Sequence, residues 1–565
     1  MSNLFWFTVL IGALIFAHEG GHFLFAKLFN VKVLTFSLGF GGPIRIGKFK
    51  LAFKRKETEY RIAWIPLGGF VRMAGDDPTE PIPPAEQDRA FLTQKAWKRF
   101  FIVLGGPLFS VLLAVPIYFT YNLLQATARA PEVGRVIPNS PADKAGFLPG
   151  DLLLQIDGKD VATWEEIDLG IQAGGGDAIK IAFARGDEQL ERELTPVKEL
   201  DATGLELFGE RFDAGLRHSR QGNLLGVVPG SPAASGDVHS WDRILAIDGE
   251  PMPGWNDVER KLASLGHKAF VLTVMRAAEV PIGVVTFRAP AIFDRKIQPM
   301  AAEEAPPFSR VFGEAYTGLE PVDLYVLNLL DGMPAEKAGI RPGDKIVAMF
   351  GKPIFSWHEF SRNIVEHKGG SSIPVKVRKS DQVVELALTP TEIEETNEFK
   401  QIMRKQGMGV TYQANLRHGK TIPRPNRLTY ALKASMTETW RAISMNILGF
   451  VRIFEGRVAP TEAIGGPIMI FTVAGKSAER GWGTFLNMMA FLSVLLGILN
   501  LLPIPLLDGG HILFILIEAV QRRPVSLQSR VVASYIGLAL LVSLMAFAFY
   551  NDIHRYWTEI TSVFT

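Results

Sequence analysis

A His-Glu-x-x-His motif, His18 to His22, lies inside an apolar run that extends from Leu4 to Ala17 and resumes from Phe23 to Ala26. No other feature restricts the fold of this chain as strongly. On a helix, His18 and His22 are one turn apart and share a face, so both imidazoles can reach one divalent ion. Glu19 then stands beside the ion's open side, placed to act as general base toward a water. Ionisable groups at membrane depth are costly and usually functional. The motif therefore implies hydrolysis at membrane depth. Burial of this helix in a globular core would explain an isolated motif, but further apolar runs follow it.

The chain has 565 residues, too many for one compact domain. Its net charge of +2 gives no sign of nucleic-acid binding. Mean hydropathy is +0.15, which fits a few membrane spans joined to a large soluble portion. Cysteine is absent, so disulfides are excluded and any metal must be held by His, Asp or Glu. The first apolar run carries the chemical motif and lacks a basic leader, so it is expected to stay as a span.

Four spans are expected, at about 4–28, 100–124, 485–506 and 531–550, each near the roughly 20 residues that cross the hydrocarbon core. The shorter run Ile443 to Phe454, flanked by Arg441 and broken by Arg452, reads as an amphipathic helix on the bilayer. Lys50, Lys54, Arg55, Lys56 and further cations up to Arg99 lie between the first two spans, and Arg522, Arg523 and Arg530 between the last two. The positive-inside rule places both connections in the cytoplasm and the long segment from about 126 to 480 outside. The stretch from Val31 to Met73 reads as β-structure, with β-branched and aromatic residues punctuated by Gly39, Gly41, Gly42, Pro66, Gly68 and Gly69. A strand edge beside the motif helix would offer hydrogen bonds to an extended peptide; an ordinary cytoplasmic hairpin is the competing reading.

The external segment holds three copies of one pattern. Ser140-Pro141-Ala142 leads through Pro149-Gly150-Asp151 to Gly158, and Met333-Pro334-Ala335 leads through Pro342-Gly343-Asp344 to Gly351. The middle copy, from Ser231-Pro232-Ala233 to Gly249, has Asp237 at the helix-end glycine and Ser240-Trp241 in place of Pro-Gly. Trp164, Trp255 and Trp357 keep the same spacing as the three turn glycines. Each copy reads as a short helix, a tight turn, a strand and a second helix. This pattern resembles PDZ domains in the circularly permuted form of bacterial membrane proteases, which bind an extended peptide beside a strand and helix. The middle copy's departures put its peptide groove in question.

Two histidines leave a catalytic metal site unfinished, since such sites usually take three protein ligands and a water. The third ligand is expected at Asp508, the acidic group closing the third span, where Pro503 and Pro505 break the helix and Gly509-Gly510 permit a tight turn. With these residues in view, the chain resembles the site-2 protease family of zinc metalloproteases, in its bacterial regulator-of-sigma-E protease group. The resemblance rests on His18-Glu19-Gly20-Gly21-His22, Ile65-Pro66-Leu67-Gly68-Gly69-Phe70-Val71, Gly105-Gly106-Pro107, the repeats, and Asn500 through Gly510. It implies Zn²⁺ bound by His18, His22 and Asp508, water activated by Glu19, and substrate handled by Asn500, Pro503 and Pro505. An amide such as Asn500 in an apolar span can donate to a peptide or a developing oxyanion; satisfying backbone freed by Pro503 is its competing role. Family members often carry Asn where this chain has Ser110, and familiar members have two PDZ domains rather than three.

The fold expected is an α-helical polytopic membrane protein of about four transmembrane helices, with a cytoplasmic or membrane-reentrant β segment and an extracytoplasmic array of α+β PDZ-like domains. Its parts are a motif span at 1–30, a β region at 31–98 and a second span at 99–125. Repeats follow at 128–200, 215–292 and 318–392, then an extracytoplasmic linker with the amphipathic helix at 393–484. The third span is expected at 485–508, a cytoplasmic loop at 509–530, the fourth span at 531–551 and a tail at 552–565. The function expected is intramembrane proteolysis by a zinc endopeptidase of the bacterial inner membrane, with the repeats on the periplasmic side gating access. The resemblance implies as substrates single-span membrane proteins already trimmed by another protease, of the anti-sigma-factor and remnant-signal-peptide type. Other partners are the lipid bilayer and peptides at the PDZ grooves, with no nucleic acid. The rival readings are a membrane-anchored PDZ scaffold with a non-catalytic metal site and, more remotely, a transporter, for which matched broken helices are missing.

Overall fold

A computed structural model describes residues 3–46, 49–77, 82–199, 211–282, 285–367, 370–380, 382–396, 402–412, 415–456 and 458–557. The chain divides into two compact units. One holds residues 1–126, 396–402 and 426–565; the other holds 127–395 and 403–425.

The first unit contains four helices long and apolar enough to cross a membrane among the described residues: α1 (Asn3–Leu28), α2 (Ala96–Leu124), α5 (Trp482–Asn500) and α7 (Leu527–Arg555). Between α1 and α2 lies a three-stranded antiparallel sheet of β1 (Val33–Pro43), β2 (Ala52–Arg55) and β3 (Thr58–Met73), in the order β1-β3-β2. Before α5 come α3 (Arg427–Phe454) and α4 (Pro467–Glu479), and between α5 and α7 lies α6 (Asp508–Gln521).

Small residues set how closely these helices approach. A Cβ on Gly21 would stand 2.0 Å from the carbonyl oxygen of Gly105, and one on Gly105 would stand 2.6 Å from that of Gly21. The backbones of α1 and α2 therefore touch at the motif, the close approach that glycine permits between helices in lipid. On the other side of α2, Gly497 of α5 faces the carbonyl oxygen of Pro107, 2.8 Å from where its Cβ would be. The sheet meets α1 at Gly69, where a Cβ would lie 2.7 Å from Ile15 Cγ2 and 2.9 Å from Glu19 Cγ.

Two elements differ from the sequence reading. The apolar segment expected as one span at 485–508 ends as a helix at Asn500; a turn through Leu501–Leu507 follows, and a new helix begins at Asp508. Much of the segment expected as a cytoplasmic loop at 509–530 is thus helix. Pro503 and Pro505 remove backbone donors, and Leu506 adopts φ +93°, so the first helix cannot continue. The apolar run after Asp508 then restarts it. The amphipathic segment Ile443–Phe454 is likewise the end of the much longer α3. Its buried residues are mostly small or polar, including Ala431, Ser435, Thr439, Ala442 and Asn446, while Leu432, Met436, Trp440 and Phe454 are exposed. The last residues of the expected tail, 558–565, lie outside the described residues.

The second unit is built from the three repeats. Each has a four-residue helix (Pro141–Lys144, Pro232–Ser235, Pro334–Lys337), a strand (Leu152–Ile156, Arg243–Ile247, Lys345–Met349) and a longer helix opened by tryptophan (Trp164–Ala173, Trp255–Leu265, Trp357–Glu366). A hairpin completes a four-stranded sheet in every copy. The three tryptophans are buried in three separate cores. The middle copy keeps the shared backbone at two positions where the other copies have glycine and it does not. Asp237 takes φ +58° where Gly146 has +81° and Gly339 has +75°, and Trp241 takes φ +78° where Gly150 has +99° and Gly343 has +92°. Asp242 keeps the contacts of its counterpart: it accepts from His239 N at 2.9 Å and from Arg276 at 2.7 Å, as Asp151 does from Leu148 N and Arg185 in the first copy.

Buried charge joins the second and third copies, because Glu320 lies on the strand Leu319–Pro321, which pairs with Leu225–Val227 of the second copy, while its cationic partners belong to the third. Glu320 is fully buried and accepts from Lys345, from Arg378 Nη1 at 3.2 Å and from Tyr325 Oη at 3.2 Å. Burial alone would push its carboxyl up, but the Lys345 and Arg378 charges outweigh it and hold the group below the ordinary glutamate range.

Candidate metal centre

α1 brings His18 and His22 to one face, and the start of α6 brings Asp508 to meet them. Asp508 Oδ2 lies 3.2 Å from His18 Nε2, and Oδ1 lies 3.4 Å from His22 Nε2. One donor atom from each of the three residues falls within 4.8 Å of the others, a spacing that fits three ligands on one ion. Asp508 Oδ2 is buried without a hydrogen-bond partner, which is costly unless a cation or a donor sits there. Gly106 of α2 leaves the room for the imidazoles: a Cβ on it would stand 2.2 Å from His22 Nε2 and 2.9 Å from His18 Cε1. The residues present therefore suit a divalent ion.

The other ring nitrogens are fixed by α2. His22 Nδ1 donates to the Ile102 carbonyl oxygen at 2.9 Å. His18 Nδ1 lies 3.0 Å from Ser110 Oγ, and that hydroxyl donates its own proton to the Gly106 carbonyl oxygen at 3.1 Å. Ser110 Oγ is thus left to accept from His18 Nδ1–H. In the neutral imidazoles these bonds leave Nε2 unprotonated toward Asp508, the tautomer a metal ligand needs. Ser493 of α5 donates to the Ser110 carbonyl oxygen at 2.5 Å, tying a third helix to the same support.

Glu19 is buried at 9 % exposure, on the residue after His18 and against Gly69 of β3. Asn500 ends α5, and its side-chain amide donates to Leu496 O of its own helix at 3.1 Å. No described hydrogen bond joins it to the histidines, Glu19 or Asp508. Pro503 and Pro505 lie in the turn that aims Asp508, and the Pro505 carbonyl oxygen stands 2.0 Å from where a Cβ of Gly537 on α7 would be. The sequence reading singled out Ser110 only as a departure from Asn and did not find Ile102. A backbone carbonyl leaves no mark in a sequence, and a serine in an apolar span, here also beside Ser493, was the one usable signal.

A family model described as Peptidase family M50 matches residues 6–544. A protein of Neisseria meningitidis serogroup A, named as a zinc metalloprotease, is 28% identical over 561 residues, covering 98% of this chain and 99% of that one. The regulator of sigma E protease of Haemophilus influenzae is 27% identical over 554 residues, covering 97% and 98%. The regulator of sigma-E protease RseP of Salmonella typhimurium is 28% identical over 560 residues, covering 98% of each chain. Among solved structures, the PDZ domain of an SdrC-like protein from Listeria monocytogenes is 23% identical, with a TM-score of 0.14, covering 16% of this chain and 90% of that domain.

Proposed function

Because the chain belongs to peptidase family M50, we propose that His18, His22 and Asp508 hold Zn²⁺ and that Glu19 is the general base of an intramembrane endopeptidase. The observation that carries this reading is the meeting of the α1 imidazoles with the α6 carboxylate, 3.2 and 3.4 Å apart. Zinc held there supplies Lewis acidity toward the scissile carbonyl and makes water a better acid. Glu19 accepts one proton from the attacking water and delivers it to the leaving amide nitrogen, while the water's oxygen and second proton go to the new carboxyl group, so one C–N bond is exchanged for one C–O bond. Ser110 and the Ile102 carbonyl hold the imidazoles in the ligating tautomer. Asn500 is proposed to release Leu496 O and donate to the substrate, with Pro503 and Pro505 shaping the same wall.

The substrates proposed are membrane-spanning segments, because the centre sits among helices long and apolar enough to cross a bilayer. The names of the Haemophilus and Salmonella relatives support a regulatory proteolysis, and the proposed site of cleavage is the bacterial inner membrane. An anti-sigma factor, or a signal-peptide remnant left by another protease, is the proposed substrate class. Exposed Arg45, Lys50, Lys54, Arg55 and Lys56 around β2 support a cytoplasmic sheet, and with that topology the repeats are proposed as a periplasmic access filter. A scaffold with an inert metal site has no use for Glu19.

The test is cleavage of a model transmembrane peptide by the purified chain. Glu19→Gln is expected to remain folded, keep its metal and lose proteolysis. Full cleavage by that variant would defeat the assignment.

A further inference from the structure

Asp508 reaches the histidines from α6, a helix that enters through the irregular turn Leu501–Leu507. That turn places the first residues of the helix, while the course of the rest of α6 depends on contacts further along it. About 15 Å further along the same helix, Glu518 meets the buried Arg99 of α2. The guanidinium binds both carboxylate oxygens, Nη2 to Oε1 at 2.6 Å and Nη1 to Oε2 at 3.2 Å. Arg530 of α7 adds Nη2 to Oε2 at 3.4 Å. Arg99 is itself held by Nε donating to Gln94 O at 3.1 Å.

The position of Arg99 gives this cluster its meaning. One turn along α2, the Ile102 carbonyl holds His22. A further turn on, Gly106 makes room for both rings, and Ser110 then holds His18. The face of α2 that fixes both imidazoles is therefore the face to which α6 is pinned. A bidentate pair fixes angle as well as distance, and a mostly buried one does not slide.

We propose that Arg99, Glu518 and Arg530 are positioning residues for the metal centre, registering α6 against α2 so that Asp508 arrives at the distance set by His18 and His22. The inference rests on the metal reading above and extends it to residues far from the ion. It assigns the ion cluster a role in ligand geometry rather than in stability alone, since burial of an ion pair is by itself a weak source of stability.

The experiment uses the full chain in detergent, with zinc affinity read by chelator competition and the visible spectrum read after cobalt loading. Four proteins are compared: wild type, Glu518→Gln, the pair Arg99→Leu with Glu518→Leu, and His18→Ala. The pair leaves no unpaired charge on α2 or α6, so it carries the test if Glu518→Gln fails to fold. Wild type is expected to hold one ion and His18→Ala none. Both Glu518 variants should bind zinc about tenfold more weakly, with altered cobalt bands, because the carboxylate no longer meets the imidazoles squarely. A stability role would lower the unfolding midpoint and leave the cobalt bands unchanged. If wild type and His18→Ala behave as stated while the Glu518 variants match wild type in affinity and spectrum, the positioning role is overturned and the metal reading stands. If wild type itself holds no ion, the metal reading falls and takes this proposal with it.

Discussion

Gly21, Gly105 and Gly106 of the membrane-helix unit sit where a methyl group would strike backbone or an imidazole, whereas Gly146, Gly150 and Gly343 of the repeat array have nothing within 4 Å of the same position. The first set is chosen for contact and the second for a positive φ. The middle repeat makes the distinction concrete, because Asp237 and Trp241 adopt that φ and the copy still closes its core. Nothing comparable is open to Gly106, whose neighbours are the His18 and His22 rings. The same contrast runs through the polar groups. In the membrane unit, single bonds to Ser110 and to the Ile102 carbonyl each orient one imidazole; in the array, several charges share one carboxylate, Glu320, and serve to join two copies.

Substitutions at four positions test this contrast. Gly106→Ala should have the largest effect, since both rings must move: zinc affinity is expected to fall at least about a thousandfold, roughly 4 kcal/mol, read by chelator competition. Retention of tight zinc would show that the centre tolerates contact. Glu320→Gln comes next, leaving Lys345 and Arg378 buried beside a neutral amide, with an expected loss of about 3 kcal/mol in array stability by denaturant unfolding and no change in zinc. Acid should mimic it in wild type. The Glu320 carboxyl is held below its ordinary value of 4.5, so its contribution is present above that pH and is lost as pH falls through the lower folded value. A midpoint that rose on acidification would reverse the sign. Ser110→Ala should weaken zinc by ten- to a hundredfold, about 1.4 to 2.7 kcal/mol, with Ser110→Asn closer to wild type. Gly146→Asn, which puts into the first repeat the kind of residue the second already uses, should cost the array less than about 1 kcal/mol.

The sequence made the centre legible where chemistry demands particular residues. His18, Glu19, His22 and Asp508 stand out because ionisable groups among apolar neighbours need a reason, and only folding could join the late aspartate to the motif. The repeats were legible because three tryptophans and three turns keep one spacing. The restart of helix at Asp508 was hidden because an apolar run after a double proline reads equally as the end of a span or the start of a helix. Asp237 and Trp241 looked like losses because composition does not report φ. Arg99 and Glu518 were unremarkable as single charges, and their pairing is visible only once α2 and α6 are side by side.

Residues from α1 and α6 are proposed to hold one ion together. Metal analysis of the purified chain beside its Asp508→Ala variant tests this directly: one zinc per wild-type chain and loss of tight zinc in the variant are expected, whereas equal, tightly held zinc in both would contradict the account.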